Sequence, residues 1–132
     1  MATPPPNTAW ARKGANRAPV GAVGDVLAGL AGCPGVARGR ARVVLDPSDP
    51  GALEPGDILV APMTDPAWTP LFVPAGGVVV NVGAPLSHAI IVSRELGIPC
   101  VVSVNEATER IPDGAVIEVD GNNGTVTILE LP

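Results

Sequence analysis

The sequence predicts an α/β fold, a valine-rich sheet of about six strands that carries one well-delimited helix. Three observations predict it. Short runs of Val, Ile and Leu alternate with turn signals from residue 40 onward. Residues 87–97 carry the start and stop signals of a helix. The 16 Gly and 16 Pro supply turns in a chain whose 46% hydrophobic content is enough for a core. With no Tyr, one Phe and two Trp, aliphatic side chains must fill that core.

Residues 1–30 read as a flexible N-terminal tail or linker, opening on three consecutive prolines with no apolar periodicity. At its end, residues 22–31 are compatible with a short helix. The domain itself is expected over 31–132, entered through the turn-rich GCPGVARG (32–39). RARVVL (40–45) predicts a strand closed by DPSDPG, and DILVAPM (57–63) a second strand after the turn EPG. WTPLFVPA (68–75) predicts one helical turn or an irregular loop, because Pro70 and Pro74 restrict it. GVVVNV (77–82) is a third strand, so continuous in valine that both faces should be buried.

SHAIIVSRELG (87–97) predicts a helix, with Ser87 as N-cap, Gly97 as the C′ residue and Pro99 blocking continuation. Ala89, Val92 and Leu96 fall on one stripe with Ile91 beside it, and Ser93, Arg94 and Glu95 on a wetter side. CVVSV (100–104) is another buried strand. AVIEVD (115–120) and TVTILEL (125–131) flank GNNG, a hairpin turn signal.

Formal charge is −5, unevenly placed: six of the eight cations precede Val43, and twelve of the thirteen acids follow Arg42. An acidic body without a basic, aromatic-studded stripe argues against nucleic acid as a partner. No run approaches the ~20 apolar residues of a membrane span. VGAVGDVLAGLAG (20–32) imitates a signal peptide only faintly, since Asp25 and four glycines interrupt it. Cys33 and Cys100 match no metal spacing and read as reduced thiols. These features together predict a cytoplasmic protein.

The chemistry centres on GAPLSHAIIVSRELGIPC (83–100), which holds the chain's single histidine. If Ser87 caps the helix, His88 is its first residue, where unpaired N–H groups and the positive end of the macrodipole converge. An anion attached to the ring would be stabilised by those groups, as phosphates are at helix N-termini. From the residues alone, His88 is either such a nucleophile or simply a residue that begins a helix. After the second strand, Thr64 could donate to phosphate on His88, or TDP could merely form a turn capped by Asp65. Trp68 reads as core. Arg38, Arg40 and Arg42 share one strand face, solvated or anion-binding. No carboxylate constellation, GxxxxGK loop or GxGxxG is present.

Over about Gly35 to Leu131 the chain resembles the mobile swivelling domain of PEP-utilising enzymes, the module of pyruvate phosphate dikinase, phosphoenolpyruvate synthase, enzyme I and rifampin phosphotransferase. DILVAPMTDPAWTPLF, GAPLSHAIIVSRELGIPCVV and IPDGAVIEVDGNNGTVTIL carry the resemblance. It implies a three-layer β/β/α sandwich whose histidine, here His88, takes a phosphoryl group at one site and delivers it at another. It implies phosphate-binding roles for Gly83, Ser87, Thr64 and Arg94. Ala84, Leu86 and Ser103 depart from the family pattern, where glycine, threonine and glycine are common.

The resemblance implies no cofactor or metal in this chain. Mg²⁺ and ATP or phosphoenolpyruvate are expected on partners: a nucleotide-binding, ATP-grasp-like domain and a PEP/pyruvate- or other acceptor-binding one. Two alternatives stay open, a non-catalytic interaction module that kept the fold, and a fragment of a longer multidomain phosphotransferase.

Overall fold

The computed structural model describes residues 21–48, 53–82 and 87–132. Eight strands are ordered β1-β8-β7-β3-β4-β5-β6-β2. They are β1 (Val26–Ala28), β2 (Leu30–Cys33), β3 (Val36–Val43), β4 (Ile58–Ala61), β5 (Gly77–Val80), β6 (Cys100–Val102), β7 (Val116–Asp120) and β8 (Thr125–Glu130). Three helices interleave: α1 (Thr69–Phe72), α2 (His88–Leu96) and α3 (Ala107–Arg110).

The long strand β3 divides this array into two layers. Its first half, Val36–Arg40, pairs antiparallel with β7, while Ala41–Val43 pair parallel with β4. One layer is therefore an antiparallel sheet of β1, β8, β7 and the start of β3. The other holds parallel β4, β5 and β6, with β2 antiparallel at its edge.

Side-chain alternation builds two cores from the second layer. Ile58, Val60, Val79 and Val101 face the antiparallel sheet, where Leu27, Ile117, Val119, Val126 and Ile128 close over them. Leu59, Ala61, Val78, Val80, Cys100 and Val102 point the other way, against Trp68, Phe72, Ala89 and Ile90 of the helical layer. Of the runs predicted to be buried on both faces, Gly77–Val80 and Cys100–Val102 are so buried, whereas Val82 and Ser103 beyond them are exposed. The result is the β/β/α three-layer arrangement that the resemblance implied.

Local chemistry fixes the connections. Asp120 closes the β7–β8 hairpin by accepting from the backbone N–H groups of Asn122 (2.9 Å) and Asn123 (3.1 Å) and from the Asn123 amide (2.8 Å). The Asn123 bonds hold its carboxyl below the usual range. Arg42 Nε donates to Asp57 at 3.1 Å, and Asp57 also accepts from the Glu54 backbone, tying the turn before β4 to β3. Arg38 pairs with Glu118 at 3.7 Å, so ion pairs occupy two arginines of the alternating face.

Three expectations are corrected. Residues 22–31 form no helix; they supply β1 and the first half of β2, separated by Gly29. The folded part therefore begins well before residue 31, because β1 pairs with β8 and Leu27 is fully buried. The rest of the expected tail, 1–20, lies outside the described residues. The buried stripe of α2 is Ala89, Ile90 and Ser93, with Val92 partly covered, while Leu96 and Ile91 are exposed. Small residues are the reason: Ala89 and Ser93 let the helix approach β2, where a Cβ on Gly32 would stand 2.9 Å from Ile90 Cγ1. The helix α3 was not predicted, since ATER is a single turn without an apolar stripe.

Because Leu27 anchors β1 between the sheets, Leu27→Ala should destabilise the domain by about 2–5 kcal/mol in urea unfolding. A change below ~1 kcal/mol would show that β1 is dispensable.

Candidate phosphohistidine site

Strands β4 and β5 run parallel, pairing Ile58 with Gly77 through Ala61 with Val80. Their carboxyl ends consequently lie side by side, the usual place for a site in an open α/β sheet. The segment leaving β4 carries Thr64 and turns through a 3₁₀ turn, Pro66–Trp68, into α1. The segment leaving β5 leads to Ser87 and α2, with His88 as its first residue.

The β4 exit is rigid for readable reasons. Asp65 is the N-cap of the 3₁₀ turn, its carboxylate accepting from the Ala67 N–H at 2.9 Å. Trp68 donates its N–H to the Asp65 carbonyl at 2.8 Å and buries its ring in the core. Thr69 donates its own N–H to the Pro66 carbonyl. Thr69 and Phe72, three apart, then share a helical face turned toward His88.

The imidazole is held on three sides. Thr64 Oγ1 lies 3.0 Å from Nδ1, and Thr69 Oγ1 lies 3.1 Å from Nε2. The Phe72 ring meets it edge to face, with centroids 5.6 Å apart and planes at 84°. The ring is half-buried. Thr64, expected here, does reach the histidine, while Asp65 fulfils the capping role.

Ser87 occupies the N-cap position with extended backbone, φ −69° and ψ 157°, and its carbonyl accepts the Ile91 N–H at 3.1 Å. Its hydroxyl makes no capping bond; Oγ is buried and unpartnered beside His88. Arg94 is not brought to the ring. It sits six residues along α2, about 9 Å in rise, and its Nε donates to the Gly32 carbonyl at 3.0 Å. Gly83, with Ala84 and Leu86, lies outside the described residues. Ser103 adopts φ +57°, a left-handed conformation that explains why glycine suits this position.

Thr69 and Phe72 are the residues that sequence reasoning missed. Their signal was available once the Asp65 cap and Pro66 are read as a helix start, which places both on one face. Beneath α2, Cys33 and Cys100 are buried free thiols on paired strands, and burial pushes Cys100 up to about 11. Among the described residues, no three His, Cys, Asp or Glu side chains converge as metal ligands, and no helix is long and apolar enough to cross a membrane.

A family model described as "PEP-utilising enzyme, mobile domain" matches residues 53–124, over half of the chain and including the whole site. The chain is 52% identical over 103 residues to the chondramide synthase of Chondromyces crocatus, covering 78% of this chain and 3% of that protein. It is 47% identical over 105 residues to the rifampicin phosphotransferase of Bacillus cereus, covering 80% and 12%. The solution structure of Enzyme I (nEIt) superimposes with a TM-score of 0.52 at 29% identity, over 64% of this chain and 34% of that one. The chain thus spans only a small part of the curated relatives described, 3 and 12% of their length.

Because the Ser87 hydroxyl is buried without a partner, Ser87→Ala should not carry the usual cost of losing a capping bond. Chemical denaturation should place the variant within ~0.5 kcal/mol of wild type or above it. A loss of ~1 kcal/mol or more would indicate that Ser87 caps α2 in solution.

Proposed function

The chain belongs to the PEP-utilising enzyme mobile-domain family, and on that premise we propose that it is a phosphohistidine carrier with His88 as the nucleophile. A phosphoryl group comes from an ATP- or PEP-binding partner and goes to an acceptor at a second site. The observation that carries the reading is the His88 imidazole at the first position of α2, with both nitrogens hydrogen-bonded to threonines.

In the loading step, the lone pair of the unprotonated ring nitrogen forms an N–P bond. The donor's P–O bond breaks, and its electron pair leaves with the donor oxygen. The proton on the other nitrogen stays in place, hydrogen-bonded to its threonine. Unloading reverses this: an acceptor oxygen bonds to phosphorus, the N–P bond breaks, and the pair returns to the ring. The acceptor's proton passes to a base on the partner.

The N-terminal end of α2 supports the charge of the adduct. The Ser87 hydroxyl, buried and unsatisfied in the resting site, is suited to donate to a phosphoryl oxygen, and Thr64 can do the same. Gly83 keeps a phosphate-binding role in this reading through its motif position. Arg94 keeps a phosphate-binding role by motif position in the same way; its Nε donates to the Gly32 carbonyl, which leaves its terminal nitrogens for a phosphoryl oxygen.

Mg²⁺ and ATP, or phosphoenolpyruvate, would be held by the partners, an ATP-grasp-like domain and an acceptor-binding one. The matched region makes up 3 and 12% of the relatives described, which fits a module that works together with other domains. A cytoplasmic setting fits too, since both cysteines are free thiols.

His88→Ala should abolish labelling from ATP or phosphoenolpyruvate in the presence of a donor partner purified with the protein. Stability should change little, because alanine is a good helix former and the ring is only half-buried. Undiminished labelling of a folded His88→Ala protein would eliminate the carrier reading.

A further inference from the structure

We propose that Thr69 is a positioning residue that, together with Thr64, clamps the His88 imidazole in one orientation and one tautomer; the proposal rests on the carrier reading above. Uncharged imidazole offers one N–H and one lone pair, whereas a hydroxyl can donate or accept. Thr64 Oγ1 at 3.0 Å from Nδ1 and Thr69 Oγ1 at 3.1 Å from Nε2 satisfy both edges of the ring. One threonine accepts the ring N–H, and the other donates its O–H to the lone pair.

Both hydroxyls come from the single segment between β4 and β5. Turning the ring over would break both bonds at once and disturb the edge contact with Phe72. The backbone of that segment is itself fixed, by the Asp65 carboxylate at Ala67 and by the Thr69 N–H at Pro66. The clamp therefore stands on a stiff support rather than on a loose loop.

The clamp has a consequence for transfer. The attacking nitrogen must exchange its threonine for phosphorus, and the other nitrogen keeps its threonine throughout. The ring thus remains oriented while one of its edges changes partner. Thr69 acts through the imidazole and is distinct from the groups proposed to touch phosphate.

The chain's single histidine makes the test clean, because the imidazole nitrogens give one pair of ¹⁵N signals. At alkaline pH the wild-type pair should show one N–H-type and one lone-pair-type nitrogen. Thr69→Val keeps the shape but lacks the hydroxyl. It should draw the two signals toward the average of exchanging tautomers and slow phosphate loading about tenfold. Thr69→Ser should restore the wild-type pattern. Nitrogen signals of folded Thr69→Val that coincide with wild type would overturn the clamp. The spectra are read on unphosphorylated protein. A protein with the predicted shifts that takes no phosphate from either donor therefore counts against the carrier reading and for the clamp.

Discussion

The parallel pairing of β4 with β5 is the constraint on which the rest of the structure depends. It aligns Ala61 with Val80, so the two segments leaving those strands emerge at the same edge of the sheet. One segment brings Thr64, Thr69 and Phe72; the other brings Ser87 and His88. A one-residue slip in this register would exchange the two buried faces of each strand, moving Leu59 and Ala61 out of one core and Ile58 and Val60 out of the other. The geometry of the site and the packing of the domain are set by the same pairing.

The two cores divide the labour. The one between the sheets joins β1, β7 and β8 to the central layer and contains nothing that the site requires. The other seats α2 and α1, and its small residues decide how close α2 lies. Ala89, Ser93 and Gly32 bring the helix against β2, and the Arg94 bond to Gly32 pins its far end. A histidine at the start of a helix so anchored has a fixed backbone position, and the threonines fix its ring. In the proposed carrier, the element that would move is the domain as a unit, with the imidazole held in place within it.

Much of this was legible in the sequence. The strands β4 to β8 follow from valine runs bounded by turn signals, and α2 from Ser87, Gly97 and Pro99. His88 and Thr64 were named from motif position, and the structure brings them into hydrogen-bond contact. What was not legible depends on long-range pairing. The segment 22–31 carries a glycine-rich apolar pattern that fits a helix locally, yet β8 and β6 recruit it into edge strands. The buried face of α2 was misassigned because Ser93 was judged by polarity, whereas its size mattered more. Thr69 is legible only once Asp65 and Pro66 are read as a helix start, because the four-residue α1 is too short to show a period of its own. The bond from Arg94 Nε to the Gly32 carbonyl has no signature in the sequence, because it joins residues 62 positions apart.

The central claim is that His88 itself carries the phosphoryl group, and intact-mass analysis of the chain after exposure to its donor system tests it most directly. The account predicts the addition of a single phosphate that survives alkali and is lost on brief acid treatment, as a phosphoramidate is. An acid-stable phosphate, as on Ser87 or either threonine, would contradict it.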